Sequence, residues 1–413
     1  MRTKKLPPDY WLLGATAALL AIGVVLVFDS SYARAGEMRL TGNDSWYFVK
    51  RQLIFAVIGI FGMIAAMNIK LNSYRKLALP LMLASVGLLI AVLIPDVGVK
   101  VNGAMRWFQI GPVRLQPSEI AKLALILYLA HALARQNNRI RYFGRGVMRH
   151  LIWVGIIAGL VLVEPDMGTT IVLVGVAFIM LFTAGAMKRH LFGIGALGVS
   201  LVGLMIIIEP YRWARIKVFL DPTSDYYGAG YQITQSLMAL GTGGLYGVGL
   251  VEGRAKHYLP AAHTDFILAT LAEEAGLIGV TLLLMLFAIL TYRGFAIAGS
   301  SRSSYGALLA VGVTSLIALQ TVINVGVVTS LIPTTGVPLP FISYGGSSLV
   351  FTLIAVGILL SVSRNLNEQM VEDPESDESS ADRRRDRRTY ISRPVRRARI
   401  PRERTRVRAT VRR

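Results

Sequence analysis

Long apolar segments alternate with short polar segments along most of this chain. A helix needs about 20 apolar residues to cross the roughly 30 Å hydrocarbon layer of a membrane. Ten segments approach or reach that length, and the fifth is the shortest. They span residues 10–28, 53–67, 77–94, 117–134, 151–163, 169–187, 191–208, 265–292, 305–328 and 347–362. The pattern therefore predicts an all-α, polytopic membrane protein with about ten transmembrane helices.

The composition favours a membrane protein over a soluble one. Hydrophobic residues make up 54% of the 413 residues and charged residues only 16%, whereas soluble domains carry about 25% charged residues. The chain has no cysteine, which excludes disulfide and thiolate chemistry. Lys4 and Lys5 precede the first segment, as in a secretory signal, but its apolar run is longer than a signal core and nine more segments follow. We therefore expect it to be a transmembrane helix that is retained.

The basic residues predict the orientation in the membrane. The loop between segments four and five has five arginines and no acid, and the loops after segments two and six are also basic. These three loops lie on one side if there are ten spans. Short basic loops stay in the cytoplasm, so both termini are predicted to be cytoplasmic. The opposite face then holds residues 29–51, 95–116 and 209–264, the last being a large outer loop between spans seven and eight.

The end of the chain has a different composition. Residues 364–413 are polar, first acidic and then rich in arginine, and they hold much of the formal net charge of +20. Such a segment lacks the apolar residues needed to fold alone. The sequence predicts a membrane domain at 1–363 and a disordered cytoplasmic tail at 364–413. We expect the tail to bind anionic lipids or a protein partner rather than nucleic acid.

Charged residues near the start of the fourth segment form the first candidate site. Arg106 precedes this segment, which opens with Gln116-Pro117-Ser118-Glu119, and proline suits the first position of a helix. Glu119 and Lys122 are three residues apart and so share a helix face. Ionised groups inside a bilayer are costly unless they are paired. The two residues are predicted to form an ion pair that holds the helix in place, contacts a substrate, or does both.

Two aspartates precede predicted helices on the outer face. Asp166, in the run Glu164-Pro165-Asp166, is either a helix cap or turn residue or part of a site. Asp265 lies where the large outer loop enters the eighth segment, so its carboxylate is partly desolvated. A raised pKa there would suit a general base. The alternative is that Thr264 or Asp265 caps the helix.

The large outer loop combines basic and apolar residues, as a site for a phosphate head with an apolar tail requires. Its candidate ligands for a pyrophosphate are Arg212, Arg215, Lys217 and Lys256. Loops of this length are uncommon unless they have a function. The glycines of residues 241–249 either expose backbone N–H groups to phosphate or permit close helix packing.

Residues 333–348 contain three prolines, which exclude a regular helix. At membrane depth an irregular backbone must be buried in protein or line a cavity. The segment, with Ser343 and Tyr344, is therefore predicted to form a wall beside the site. The chain has five histidines, no His-x-x-x-His pair and no phosphate-binding loop of the Walker type. This pattern argues against an ATP-driven transporter; a divalent cation could assist the site, although no clear set of ligands is visible.

Six motifs within these clusters resemble those of the SEDS family (shape, elongation, division and sporulation), which includes FtsW, RodA and SpoVE. They are Asn-Gly-x-x-Arg-Trp, Gln-Pro-Ser-Glu-x-x-Lys, Pro-Asp-x-Gly-Thr, Gly-Tyr-Gln, His-Thr-Asp-Phe and Pro-Leu-Pro-Phe-Ile-Ser-Tyr-Gly-Gly-Ser-Ser. The resemblance extends from the first segment to about Ser363, and it is closer to the FtsW/SpoVE branch. It implies ten helices and a peptidoglycan glycosyltransferase that polymerises lipid II at the outer face of the bacterial inner membrane. It also implies a class B penicillin-binding transpeptidase and other division or elongation proteins as partners.

The resemblance implies roles for individual residues. The family's essential aspartate corresponds to Asp265, and the Glu and Lys of its second motif correspond to Glu119 and Lys122. Further expected substrate contacts are Arg106, Asp166, Arg212, Arg215, Lys217, Lys256, His263, Ser343 and Tyr344. One departure is Ala261, where the family usually has glutamate, so no role of that acid carries over.

Two other functions are compatible with the sequence. A lipid II flippase would also need polar residues and irregular backbone within the membrane, although the polar clusters lie near the predicted outer face. A non-catalytic scaffold of a division or elongation complex would not need Asp265.

Overall fold

A computed structural model of the chain describes residues 7–37, 42–101, 103–111, 113–221, 225, 228, 230–260 and 262–372. By its contacts the chain divides into two units, Met1–Asn367 and Glu368–Arg413. The predicted disordered tail lies, from residue 373 onward, outside the described residues. The first unit contains all of the candidate site residues.

Within the described residues the fold consists of thirteen α-helices and three short strands. The helices are α1 Tyr10–Glu37, α2 Tyr47–Asn68, α3 Leu71–Val92, α4 Pro117–Ala134, α5 Met148–Val163, α6 Met167–Thr183, α7 Lys188–Ile208, α8 Pro210–Leu220, α9 Tyr231–Gly243, α10 Ala255–Tyr258, α11 Ile267–Ser300, α12 Ser304–Val328 and α13 Gly346–Glu372. A 3-10 turn at Asn137–Arg141 and a π turn at Phe143–Val147 precede α5. Ten of these helices coincide with the ten predicted apolar segments.

The predicted class, a helical membrane protein, is confirmed. Eight of the described helices are long and apolar enough to cross a membrane. The apolar helices α5 and α6, with 16 and 17 residues, are shorter. The number of spans and the orientation of the chain stay predictions, since length and composition alone do not fix them.

The centre of the bundle is formed by α4, α12 and α13, each of which is buried along most of its length. Helix α4 contacts α3, α5, α6 and α12, and α12 also contacts α11. These inner helices are buried on most of their faces and largely apolar, which is typical of a helix surrounded by others. Helix α7 is the opposite case, because Leu191 is its one buried residue. Its exposed apolar side chains are suited to contact with lipid.

Helix α11 contains a kink at Gly276, whose φ of 63° lies in the left-handed region. A break in a helix inside a membrane leaves backbone groups that need other partners. The loop after α9 supplies these partners: its carbonyls accept from N–H groups of α11, and its N–H groups donate to carbonyls of α11. Four bonds run between the segments: Leu277 N to Gly244 O, Ile278 N to Leu245 O, Val248 N to Glu273 O and Gly249 N to Glu274 O, at 2.9–3.2 Å.

The glycines of this loop permit the close contact. A Cβ atom on Gly247 would lie 2.1 Å from Glu274 O, and one on Gly243 would lie 1.9 Å from Ala272 O. Of the two roles open for this glycine run, the structure supports close helix packing. None of the described residues 241–249 lines the cavity described below.

We expect Gly276→Ala to destabilise the protein and Gly299→Ala, in the same helix, to leave its stability unchanged or raise it. At Gly276 an added Cβ would lie 2.4 Å from Gly247 N, whereas nothing lies within 4 Å at Gly299. Alanine at a positive φ costs more than the roughly 1 kcal/mol that it gains in an ordinary helix. Thermal unfolding of both variants in detergent measures the difference. Equal midpoints would contradict the packing role of the kink.

Three short strands between α3 and α4 form an antiparallel sheet in the order β1-β2-β3. Strand β1 is Val99–Val101, β2 is Ala104–Ile110 and β3 is Val113–Leu115. Gly103 and Gly111, with φ of 84° and 58°, occupy the turns between them, where a positive φ favours glycine. The sequence analysis did not predict this sheet, which positions Arg106 on β2.

Candidate active site

A cavity of about 2420 Å³ opens among α4, α6, α8, α11, α12, the sheet and the irregular segment before α13. Eight of the predicted site residues line it. They are Arg106, Glu119, Lys122, Asp166, Arg212, Arg215, Asp265 and Tyr344. Four others, Lys217, Lys256, His263 and Ser343, are not part of its lining. The structure thus brings together side chains from segments that are far apart in the sequence.

Asp265 does not cap α11. The helix begins at Ile267, and Phe266 occupies the capping position without a side-chain bond. The capping alternative for Thr264 or Asp265 is therefore wrong. Among the described residues, no hydrogen bond or ion pair occupies the Asp265 carboxylate, which faces the cavity.

Hydrogen bonds from α12 and from the irregular segment before α13 hold the backbone around Asp265. Asn324 Nδ2 donates to Asp265 O at 2.8 Å and to Val337 O at 2.9 Å. Ser343 Oγ donates to Thr264 O at 2.7 Å, and Tyr344 N donates to His263 O at 2.8 Å. Two irregular backbone segments thus fix each other. Asn324, which sequence reasoning did not include in the site, donates to both segments.

The position of Asp265 favours proton uptake. Burial raises the pKa of its carboxyl to about 6, and the negative charge of Asp166 adds to the effect, while Arg215 and Arg106 oppose it. A carboxyl group with such a pKa is mostly ionised at neutral pH and binds a proton more readily than an exposed aspartate.

Arg106 connects the sheet to the turn between α5 and α6. Its Nε donates to Glu164 O at 2.6 Å, and its Nη2 donates to Pro165 O. The Glu164 side chain is fully buried, and burial, followed by the charge of Asp166, raises its pKa to about 8 although Arg106 opposes this. Burial of Glu164 therefore favours its neutral form.

Asp166 caps α6, as one of the two alternatives predicted. Its Oδ1 accepts from Thr169 N at 3.0 Å, and its Oδ2 accepts from Thr169 Oγ1 at 2.9 Å. Gln116 Nε2 also donates to Oδ2, at 3.2 Å. Asp166 also lines the cavity. Its bonds to Thr169 and Gln116 therefore fix its carboxylate at the cavity wall.

The predicted ion pair between Glu119 and Lys122 is confirmed. Lys122 Nζ lies 2.9 Å from Glu119 Oε1, and the two side chains are only 4% and 6% exposed. Both also line the cavity. The two charges therefore offset each other within α4, and the pair presents a polar surface to the cavity.

The cations of α8 are placed differently from one another. Arg212 and Arg215 line the cavity, and Arg215 Nη1 donates to Thr334 O at 2.6 Å. Lys217 is exposed to solvent. Helix α8 therefore contributes two guanidinium groups to the cavity.

Lys256 is in a buried ion cluster instead of the cavity. Its Nζ lies 2.7 Å from Asp29 Oδ1 and 2.8 Å from Glu274 Oε1, and it donates to Val251 O at 2.6 Å. Burial acts against its charge, but these bonds to carboxylates outweigh burial and raise the pKa of Lys256. The ammonium group is already occupied, and the structure does not bring it to the predicted pyrophosphate site.

Comparison with known proteins identifies the family of this chain. The family described as "Cell cycle protein", with FtsW, RodA and SpoVE as its members, matches residues 10–368. The chain belongs to the FtsW/RodA/SpoVE family. It is 44% identical over 359 residues to the "Probable peptidoglycan glycosyltransferase FtsW" of Trichlorobacter lovleyi, which covers 87% of this chain and 93% of that one. It is 46% identical over 366 residues to "Stage V sporulation protein E" of Bacillus subtilis, covering 88% and 99%.

Solved structures of this family share the fold. A chain of a peptidoglycan synthase complex described as coordinating polymerization and crosslinking matches with a TM-score of 0.73 and 32% identity, covering 87% of this chain and 99% of that one. The rod shape determining protein RodA of Thermus thermophilus matches with a TM-score of 0.64 and 30% identity, covering 87% and 98%.

Two expectations from the sequence concern the departure at residue 261 and a metal ion. Ala261, where the family resemblance led us to expect glutamate, lies outside the described residues. Among the residues that the structure does describe, no group of three His, Asp or Glu side chains could hold a metal ion.

Proposed function

We propose that this chain is a peptidoglycan glycosyltransferase that polymerises lipid II into glycan strands at the outer face of the bacterial inner membrane. The observation that carries the proposal is the position of Asp265. Its carboxylate faces a cavity that is lined by arginine side chains in one part and by apolar side chains in another. The relatives named FtsW and SpoVE favour a role in division or sporulation over one in elongation. A class B penicillin-binding transpeptidase is the expected partner, together with other division proteins.

The cavity has the two kinds of wall that a lipid-linked sugar needs. Arg106, Arg212 and Arg215 supply positive charge for a pyrophosphate. Apolar side chains of α7, α11 and α12 line another part of the same cavity and suit a polyprenyl chain. They include Val202, Ile206, Leu284, Phe287, Phe295 and Val322.

In the proposed reaction, Asp265 accepts the proton of the acceptor sugar hydroxyl. The hydroxyl oxygen attacks the anomeric carbon of the growing glycan and forms the new glycosidic bond, with inversion. The bond from that carbon to the pyrophosphate oxygen breaks, and its electron pair leaves with undecaprenyl pyrophosphate. Arg212 and Arg215 stabilise the charge that develops on this leaving group. The proton on Asp265 then passes to solvent.

A flippase is the second candidate, because the cavity reaches as far along α11 as Phe295. This residue is 28 positions beyond Ile267, or about 40 Å along a helix with a 1.5 Å rise. The walls there are largely apolar, which suits a lipid tail. Moving a charged sugar head across the membrane needs a polar path, so polymerisation is the better fit.

The test is polymerisation of labelled lipid II by the full chain purified with its transpeptidase partner, with glycan products separated by size. We expect glycan strands without any other polymerase present. Movement of lipid II between the leaflets of proteoliposomes without polymer would support the flippase instead. A folded complex that gives neither result would support a scaffold.

The rate of polymerisation is expected to depend on pH through Asp265. Only the ionised carboxylate accepts a proton, so the rate at saturating lipid II should fall below about pH 6, by about tenfold per unit well below that value. Initial rates between about pH 5 and pH 8, with thermal unfolding measured over the same range, separate this effect from loss of folding. A rate that stays constant down to pH 5 in folded protein would contradict a raised pKa of Asp265 in the reacting complex.

A further inference from the structure

We propose that the loop between α4 and α5 and the start of α7 together bind the phosphate of an anionic phospholipid, and that this lipid holds α7 in place. The site lies at the end of the bundle opposite Asp265, which the sequence predicts to be cytoplasmic. None of its residues lines the cavity. The basic residues of both segments follow the positive-inside pattern, but their arrangement in the structure gives them a more specific role.

The two basic segments meet through an aromatic contact. The ring of Phe143, in the α4–α5 loop, lies 5.2 Å from the ring of His190 on the first turn of α7. Arg141 precedes Phe143 by two residues, and Lys188 and Arg189 directly precede His190. The contact therefore brings the basic side chains of both segments to one surface.

The α4–α5 loop is folded and presents its arginines at a fixed place. Its 3-10 turn and its π turn pack closely, since a Cβ atom on Gly146 would lie 2.2 Å from Arg139 O. Ile140 and Val147 are buried and anchor the loop on the bundle. Ordering a flexible loop lowers the affinity for a ligand, and a loop that is already folded avoids most of that cost.

The basic surface consists of Arg139, Arg141, Lys188 and Arg189, which are all exposed. None of these four side chains forms an ion pair with an acid of the described chain. Neither the α4–α5 loop nor the α6–α7 loop contains an acidic residue. Arginine and lysine form charge-assisted hydrogen bonds to phosphate oxygens, so the basic surface is suited to a phosphate group.

Exposed apolar side chains beside the basic surface favour a lipid over a soluble anion. Tyr142 is 69% exposed, and tyrosine is common at the level of the lipid headgroups. Phe192, one turn into α7, is 80% exposed, and Val199 is exposed two turns further along the same face. The acyl chains of a lipid can follow this face of α7. An acidic peptide or a nucleic acid would leave the apolar side chains in water.

A lipid at this place compensates for the few protein contacts of α7. Leu191 is the one buried residue of the helix. A Cβ atom on Gly195, one turn later, would come no closer than 3.9 Å to Phe178 of α6. A phosphate bonded to both the loop and the first turn of α7 fixes the helix at that end. Because Val202 and Ile206 of α7 line the cavity, the lipid also positions part of the cavity wall.

The test measures lipid binding to the full chain by native mass spectrometry. It compares phosphatidylglycerol with phosphatidylcholine of the same acyl chains, since only the first has a net negative headgroup. Arg141→Gln/Arg189→Gln should retain one phosphatidylglycerol fewer than the wild type, which corresponds to at least about tenfold weaker binding at this site. Binding of phosphatidylcholine should not change. The arginine-rich tail is the same in both proteins, so its own affinity for lipids does not affect the comparison.

The matched control is Lys70→Gln/Lys76→Gln, which removes the same charge from two exposed lysines. They lie at the same end of the bundle, because Arg75 of α3 and His131 of α4 both lie against the ring of Tyr305. The control should retain as many phosphatidylglycerol molecules as the wild type.

Distances between spin labels test the effect on α7. The chain has no cysteine, so labels can be attached after Ser73→Cys on α3 and Ser200→Cys on α7, which change two exposed residues. Double electron–electron resonance in bilayers should give a narrow distance distribution with phosphatidylglycerol. A broader distribution is expected with phosphatidylcholine alone, and in both lipids for Arg141→Gln/Arg189→Gln.

The inference is overturned if Arg141→Gln/Arg189→Gln retains as many phosphatidylglycerol molecules as the lysine control. Equal binding by the variant and the wild type is also the result expected if the acidic run at 372–378 occupied the basic surface instead. Distance distributions that are the same in both lipids would refute the effect on α7. Neither measurement uses lipid II, so both outcomes are independent of the proposed function.

Discussion

Asp265→Asn is expected to lower the rate of lipid II polymerisation by about 10³-fold, within the range of 10² to 10⁴ that a general base contributes. Asparagine has almost the same size but cannot accept the proton of the attacking hydroxyl. The backbone around the residue should keep its position, since Asn324 bonds to the carbonyl of Asp265 and not to its side chain. Initial rates with labelled lipid II, at saturating substrate, measure the effect.

The matched control is Asp96→Asn, which makes the same change at an exposed residue outside the cavity. Its φ of 69° is one that asparagine also tolerates, so both activity and folding should be retained. Asp265→Asn should bind undecaprenyl pyrophosphate as the wild type does. Polymerisation at a near wild-type rate by folded Asp265→Asn protein would exclude the base role and leave the carboxylate with a binding role at most.

The helices could be predicted from the sequence because the membrane imposes their length and apolar composition. Their ends could not. Helix α1 continues to Glu37 and α11 to Ser300, beyond the predicted segments 10–28 and 265–292, because a helix does not stop where its apolar run stops. The Glu119–Lys122 pair could also be predicted, because a spacing of three residues places both side chains on one helix face.

The parts of the site that could not be predicted depend on contacts between distant segments. Lys256 and Asp29 are 227 positions apart, and nothing in the loop around Lys256 distinguishes a buried ion partner from a phosphate ligand.

The two irregular segments at the site satisfy each other's backbone hydrogen bonds. Residues 333–345 cannot form a regular helix because of their prolines, and residues 263–266 precede α11 without a side-chain cap. Unpaired backbone groups at this depth would be costly. The bonds from Asn324, Ser343 and Tyr344 offset that cost and hold Asp265 in the cavity wall. Asn324 thus helps to fix the position of Asp265, the proposed base.

Lys256→Met is expected to destabilise the protein strongly, by about 3–5 kcal/mol, as removing one partner of a buried ion pair does. The change leaves Asp29 and Glu274 facing each other in a buried site without a counter-charge. One Asp29 oxygen, Oδ2, already has no hydrogen-bond partner within the described residues. Backbone N–H groups of Val251 and Gly253 donate to Glu274, but they cannot replace a full positive charge. Thermal unfolding in detergent measures the loss.

A second variant separates stability from substrate binding. Combining Lys256→Met with Asp29→Asn and Glu274→Gln removes the unpaired charges, so it should recover much of the lost stability. Lys76→Met, at an exposed lysine of α3, should change the stability by no more than about 0.5 kcal/mol. Because Lys256 lies outside the cavity lining, KM for lipid II should stay at the wild-type value in whatever folded Lys256→Met protein remains. A variant that unfolds like the wild type but shows a raised KM would instead return Lys256 to the pyrophosphate site that the sequence suggested.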